Sequence, residues 1–154
     1  MSTSNPLVVF ALDDHRYALY LPVVERTVRM VAVTPLPRAP AIVTGVINVS
    51  GKVIPVLNIR RRFRLPERGA RPGDQLIIAR TARRTVALIV DEVRGVIECP
   101  ADQPVDPAAI VPGLEQLAGV VKFDDGMIFI HDLDLFLSLE EERDLTMALG
   151  RGGA

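Results

Sequence analysis

TGVINVSGKVIPVLNI, residues 44–59, holds two apolar runs on either side of Ser50-Gly51. Val46, Ile47 and Val49 precede that pair, and Val53, Ile54, Val56 and Leu57 follow it. β-Branched side chains therefore dominate both arms, as a pleated, half-buried surface prefers. The reading is strand, tight turn, strand, with Gly51 supplying the turn. Pro55 has no N–H to give to a ladder, which puts the second strand at an edge or beside a bulge. The pattern returns 74 residues further on. Gly119, Val120, Val121 and Phe123 match Gly45, Val46, Ile47 and Val49, while Ile128, Ile130, Asp132 and Leu133 match Ile54, Val56, Asn58 and Ile59.

A second recurrence lies outside the hairpin. LVVFAL, DDHR and YALYL, starting at Leu7, read as a hairpin closed by Asp13, Asp14, His15 and Arg16. QLIIARTARRTVALIVDEVRGVIE, residues 75–98, repeats this arrangement at an offset of 69 without a gap. Leu76, Ile77 and Ile78 follow Leu7, Val8 and Val9, and Val93 and Ile97 follow Val24 and Val28. Two half-chains with one order of elements predict two similar small barrels joined back to back: lobe one over 7–66, a Gly/Pro-rich linker at 67–74 and lobe two over 75–139, all within one domain. Each half carries too little apolar sequence to stand alone, so the barrels bury against each other and leave a groove between them. CPADQPVDPAAIVPG, from Cys99, reads as an extended wrapping loop.

The ends of the hairpins are read as helix starts. Asn58 is placed as the N-cap of a helix of about two turns, IRRRFRL, whose Ile59, Phe63 and Arg62 stem cover a barrel. Asp132 caps the corresponding segment. Ser138 and Glu141 form a capping box for a terminal helix over 138–149.

Composition narrows the function. A chain of 154 residues buries about 70% of its extended surface and needs no staple. The lone Cys99 excludes an internal disulfide framework and reads as a small buried hydrophobe. A net charge of −1 offers no global field for nucleic acid or anionic lipid, and no apolar run reaches the ~18 residues of a membrane span. With no leader-like N-terminus, the expected location is the cytoplasm. Arg60, Arg61, Arg62 and Arg64 lack interleaved stacking aromatics and read as a solvated helix face, and Asp91-Glu92 as a solvated bend. No nucleophile, base or phosphate-cradling loop emerges, so no catalytic residue and no cofactor is assigned. The one acid and histidine cluster, Asp124, Asp125, His131 and Asp132, reads as a turn and a cap rather than a metal site. A small β-barrel enzyme or metal protein using His131 with Asp124 and Asp132 remains the second hypothesis.

FALDDHRYALYLPVVERTVR, TPLPRAPAIVTGVINVSGKVIPVLNIRRRF, TVALIVDEVRGVI and LAGVVKFDDGMIFIHDLDLFL together resemble the CheW-like family of chemotaxis coupling proteins over residues 7–139. The resemblance implies an all-β fold of two five-stranded, SH3-like barrels with short helices. It also implies a non-catalytic adaptor between the cytoplasmic tip of methyl-accepting chemoreceptors and the regulatory domain of a CheA-like histidine kinase. By position, Arg26, Thr27, Gly45, Asn48 and Ser50 would face the kinase, and Val53, Val86 and Val93 the receptor. Weak self-association through the same edges is a further possibility of that fold, and an unrelated signalling scaffold is the alternative. Three departures stand out. Ser50 replaces the arginine usual in Asn-Leu-Arg-Gly, Asn58 replaces an aspartate, and Arg26 stands where an acid is common. They suggest an adaptor of a divergent chemosensory system.

Overall fold

The computed structural model describes residues 4–100, 117–123 and 126–152. Among the described residues ten strands form two five-stranded antiparallel-rich sheets. In chain order they are β1 (Ser4–Leu12), β2 (His15–Tyr20), β3 (Val24–Arg29), β4 (Val43–Val49), β5 (Lys52–Leu57), β6 (Gln75–Arg80), β7 (Thr85–Val90), β8 (Glu92–Pro100), β9 (Leu117–Phe123) and β10 (Gly126–His131). The short helix α1 (Ile59–Arg62) follows β5 and the longer α2 (Leu139–Gly152) follows β10. A terminal sheet has the order β8-β1-β2-β10-β9 and a middle sheet the order β3-β6-β7-β5-β4.

The duplication is reproduced residue for residue. Leu7 faces Tyr20 as Leu76 faces Ile89, and Asn48 faces Val53 as Lys122 faces Met127. The parallel contacts obey the same offsets, with Ala18 beside Ile130 and Ala87 beside Val56. The sheets, however, do not follow the consecutive lobes 7–66 and 75–139. Each takes two strands from one repeat and three from the other.

Short connectors explain the exchange. β2 ends at Tyr20, level with Leu7, whereas the strand on the far side of β1 begins level with Ala11. Returning there means about 14 Å along the strands and about 10 Å across them. Only the 3-10 turn Leu21–Val23 joins β2 to β3, and such a link reaches at most about 14 Å. The link from β7 to β8 is Asp91 alone. The third strand of each repeat therefore crosses to the other sheet.

Central strands consequently bury both faces. Leu7, Val9, Ala18, Ile128 and Ile130 fill the terminal sheet together with Cys99, and Leu76, Ile78, Ala87, Ile54 and Val56 fill the middle sheet at equivalent positions. Their alternate neighbours, Phe10, Leu12, Leu19, Ile77, Val86 and Leu88, form one shared core between the sheets. That is why LVVFAL is apolar without alternation.

Several local expectations change. Pro55 lies in an internal strand, between β7 and β4, not at an edge, and sits beside the register break between Val43 and Gly45, as the bulge alternative expected. Val46, opposite it, spends its own N–H and C=O on Thr34, so the Pro55 nitrogen points toward β7, where pairing starts only at Val56. No ladder bond is lost. Helix α1 is one turn rather than two, and Asn58 does not cap it; its Nδ2 donates to Glu67 Oε1 at 3.1 Å. Asp132 does cap a 3-10 turn, accepting from the Asp134 N–H at 3.0 Å. The Ser138 box closes in both directions, at 2.8 and 3.1 Å. Cys99 and Pro100, expected to open the wrapping loop, instead end β8 paired with β1; the rest of that loop, from Ala101, and the turn residue Asp125 lie outside the described residues.

Candidate interaction surface

The β4–β5 turn has a fixed shape. Ser50 (φ +53°) and Gly51 (φ +84°) both adopt the left-handed conformation that a two-residue hairpin requires, and Asn48 Oδ1 accepts the Gly51 N–H at 3.0 Å. A serine in that conformation costs on the order of 1 kcal/mol that glycine would not. Arg26, on edge strand β3, places Nη2 3.5 Å from Ser50 Oγ, a contact at the outer limit of hydrogen bonding. A register break lies between Val24 and Arg26, where a bulge interrupts the ladder to β6. Arg26, Thr27, Asn48, Ser50 and Lys52 are all exposed, and Val53, directly across from Asn48, is 60% exposed.

Gly45 is different from its companions because it is buried. A Cβ there would collide with the Thr34 carbonyl oxygen and with Val33 Cγ1. Thr34 and Val46 exchange backbone hydrogen bonds of 2.9 and 2.8 Å, joining the chain after β3 to β4. Gly45 thus allows the middle sheet to close, and supports the surface from beneath.

The three valines do not form one group. Val53 belongs with the hairpin. Val86 is fully buried in the shared core and presents nothing to a partner, because its strand is central and covered on both faces. Val93 is half-buried at the start of β8, packs against the shared core, and donates its N–H to Gln75 Oε1 at 2.6 Å. Its repeat equivalent, Val24, packs against the same core from the start of β3. The 69-residue offset was the signal that could have found Val24.

At the other end of β5 from the turn lies a network that no motif announced. Arg60, 6% exposed, donates to Asp91 at 2.8 and 3.0 Å, to Asp13 at 3.0 and 3.2 Å and to the Pro66 carbonyl at 3.1 Å. Arg68 grips Asp74 with two bonds of 2.8 and 2.9 Å and also reaches Asp91. Neither Arg60 nor Asp91 is the solvated residue expected of it. Burial by itself would raise the Asp91 carboxyl, but bonds from Arg60 and from the Asp13 N–H outweigh it and hold the group below the usual carboxylate range. Asp74 is lowered likewise, burial being overcome by Arg68 and the Arg71 N–H.

Helix α2 is docked. Arg62 pairs with Glu141 at 2.7 and 2.8 Å, Arg84 with Glu142 at 2.9 Å, and Leu145 and Ala148 are buried beneath. His131 stacks on Phe63 with centroids 3.9 Å apart and lies beside Tyr17 and Phe136. Asp132 is engaged as a cap, and Asp124 lies outside the described residues. Among the described residues no group of acids, histidines and cysteines has the arrangement of a metal site, and no helix is long and apolar enough to cross a membrane.

The CheW-like domain profile matches residues 6–141. The chemotaxis protein CheW of Treponema pallidum is 28% identical over 146 residues, covering 91% of this chain and 86% of the relative. Protein FrzA of Myxococcus xanthus is 29% identical over 140 residues, covering 90% and 88%. The crystal structure of the scaffolding protein TtCheW from Thermoanaerobacter tengcongensis superposes with a TM-score of 0.81 at 30% identity, over 90% of this chain and 96% of that one.

Proposed function

Because this chain belongs to the CheW-like domain family, we propose that it is an adaptor, not an enzyme, which joins chemoreceptors to a CheA-type histidine kinase in a chemosensory array. One observation carries this reading. The similarity runs from β1 to the start of α2 and takes in both sheets, and a solved scaffolding protein has the same fold.

The action is positional. The shared core and the Arg60 network make the two sheets one stiff body, so displacement at one surface is passed to another. Arg26, Thr27, Asn48 and Ser50 present the kinase-facing edge, with Gly45 underneath, and the exposed Val53 beside them is offered to the receptor. Val93 and Val24 border the receptor-facing groove. Val86 serves only as its packed floor. Each contact buries little area and is weak alone, and joint engagement in an array supplies the strength.

Titration of the purified chain against the regulatory domain of its cognate kinase, and separately against a receptor fragment containing the hairpin tip, tests the proposal. Saturable binding to both and co-sedimentation of the three is the expected result. Binding to neither overturns it.

A further inference from the structure

The duplication gives the molecule two equivalent sheet ends, and the residues there are not equivalent. On the middle sheet the end carries Arg26, Thr27, Lys52 and Val53. The 69- and 74-residue offsets place Gly95, Val96, Gly126 and Met127 at the matching positions of the terminal sheet. Both ends have the same backbone device. The register breaks after Val24 in β3 and opposite Val9 and Phe10 in β8, and in β8 the Arg26 equivalent is Gly95 at φ +118°. What differs is chemistry. One end shows two exposed cations around a neutral serine; the other shows Val96 and Met127, 56% and 46% exposed, and in the sequence the 74-residue offset puts Asp124 in place of Ser50 and Lys122 in place of Asn48.

Arg26 is also uncompensated among the described residues. Its contact is the 3.5 Å approach to Ser50 Oγ, whereas the adjacent Glu25 reaches Thr85. That contact is at the outer limit of hydrogen bonding, so the exposed guanidinium keeps its donors for a partner.

We infer that Arg26 is a specificity determinant that distinguishes the two quasi-equivalent ends, requiring a carboxylate on the protein docking at the middle-sheet end. The inference rests on the adaptor reading and adds the charge rule. A carboxylate accepts two parallel N–H bonds from the guanidinium. A partner lacking it, or carrying a cation, meets an unpaired or repelled charge, which is how a duplicated surface avoids exchanging its partners. At the other end Gly95 stands in place of Arg26, the sequence carries Asp124 in place of Ser50, and Val96 and Met127 offer apolar contact, so no guanidinium there selects a carboxylate.

The test is calorimetric titration of the kinase regulatory domain with the intact chain, at low and high salt, using wild type, Arg26→Glu, Arg26→Gly and Val96→Glu. Wild-type affinity is expected to fall with salt. Arg26→Glu should weaken binding about tenfold and reverse the salt trend, with Arg26→Gly intermediate and Val96→Glu unchanged. Unaltered urea midpoints will confirm that the exposed substitutions leave the fold intact. Equal binding by Arg26→Glu and wild type overturns the inference while leaving the adaptor reading in place, and so does equal weakening by Val96→Glu. Wild type that binds at neither salt overturns both.

Discussion

Arg60 Nη2 lies 2.8 Å from Asp91 Oδ1, across 31 positions of chain, and ties the helix after the first central hairpin to the bend where the chain leaves β7 for β8. That bend is a single residue long. Its geometry decides which sheet β8 joins, so the ion pair sits where the strand exchange is made.

Removing the guanidinium leaves Asp91 and Asp13 facing each other with Arg68 as the remaining counter-charge. Arg60→Ala is expected to lower stability by about 2 kcal/mol, less than for a fully buried pair because both carboxylates are partly exposed. Urea unfolding measures it, and Arg61→Ala, at an exposed pair, should change little.

Stability should also depend on acid. Asp74 and Asp91 have folded pKa values below their unfolded ones. Their contribution is present above the unfolded carboxylate range, near pH 4, and is lost as pH falls through the lowered folded values. Thermal melts from pH 7 to pH 2 should show this decline, and Asp91→Asn should flatten it.

Gly45→Ala places a methyl against the Thr34 carbonyl and the Val33 side chain. A loss of about 2–3 kcal/mol is expected, with faster amide exchange at Thr34 and Val46. Unchanged exchange would show that the closure does not depend on the close approach.

Ser50→Gly removes the penalty of a left-handed serine and should stabilise the chain by about 0.5–1 kcal/mol. Chemical denaturation is sensitive enough to detect it.

The strand exchange predicts the behaviour of fragments. Residues 1–69 and 70–154 each carry strands of both sheets and complete neither. Alone, neither should melt cooperatively; mixed in equal amounts, they should regain the circular dichroism spectrum of the intact chain. A cooperative transition in either isolated half would refute the argument from connector length.

Much of this architecture was legible in the chain. Both repeat offsets, the Ser50-Gly51 turn, the Ser138 box and the buried Cys99 follow from apolar spacing and turn chemistry, which act over a few residues. Of the candidate surface, Arg26, Thr27, Asn48, Ser50 and Val53 are exposed together, whereas Val86 is core. An apolar residue in a strand looks the same from sequence whether its strand is covered on one face or two.

What the amino-acid order determined by itself was therefore the content of each repeat and its register, because alternation and turns are local. Only the tertiary structure decided which copy each strand joins and which of four neighbouring arginines turns inward. Two matching repeats offer the same registers to either partner, and the choice falls to the reach of a three-residue and a one-residue connector. Arg60 differs from Arg61, Arg62 and Arg64 by the aspartates that fold against it from residues 13 and 91, and nothing within one helical turn specifies them.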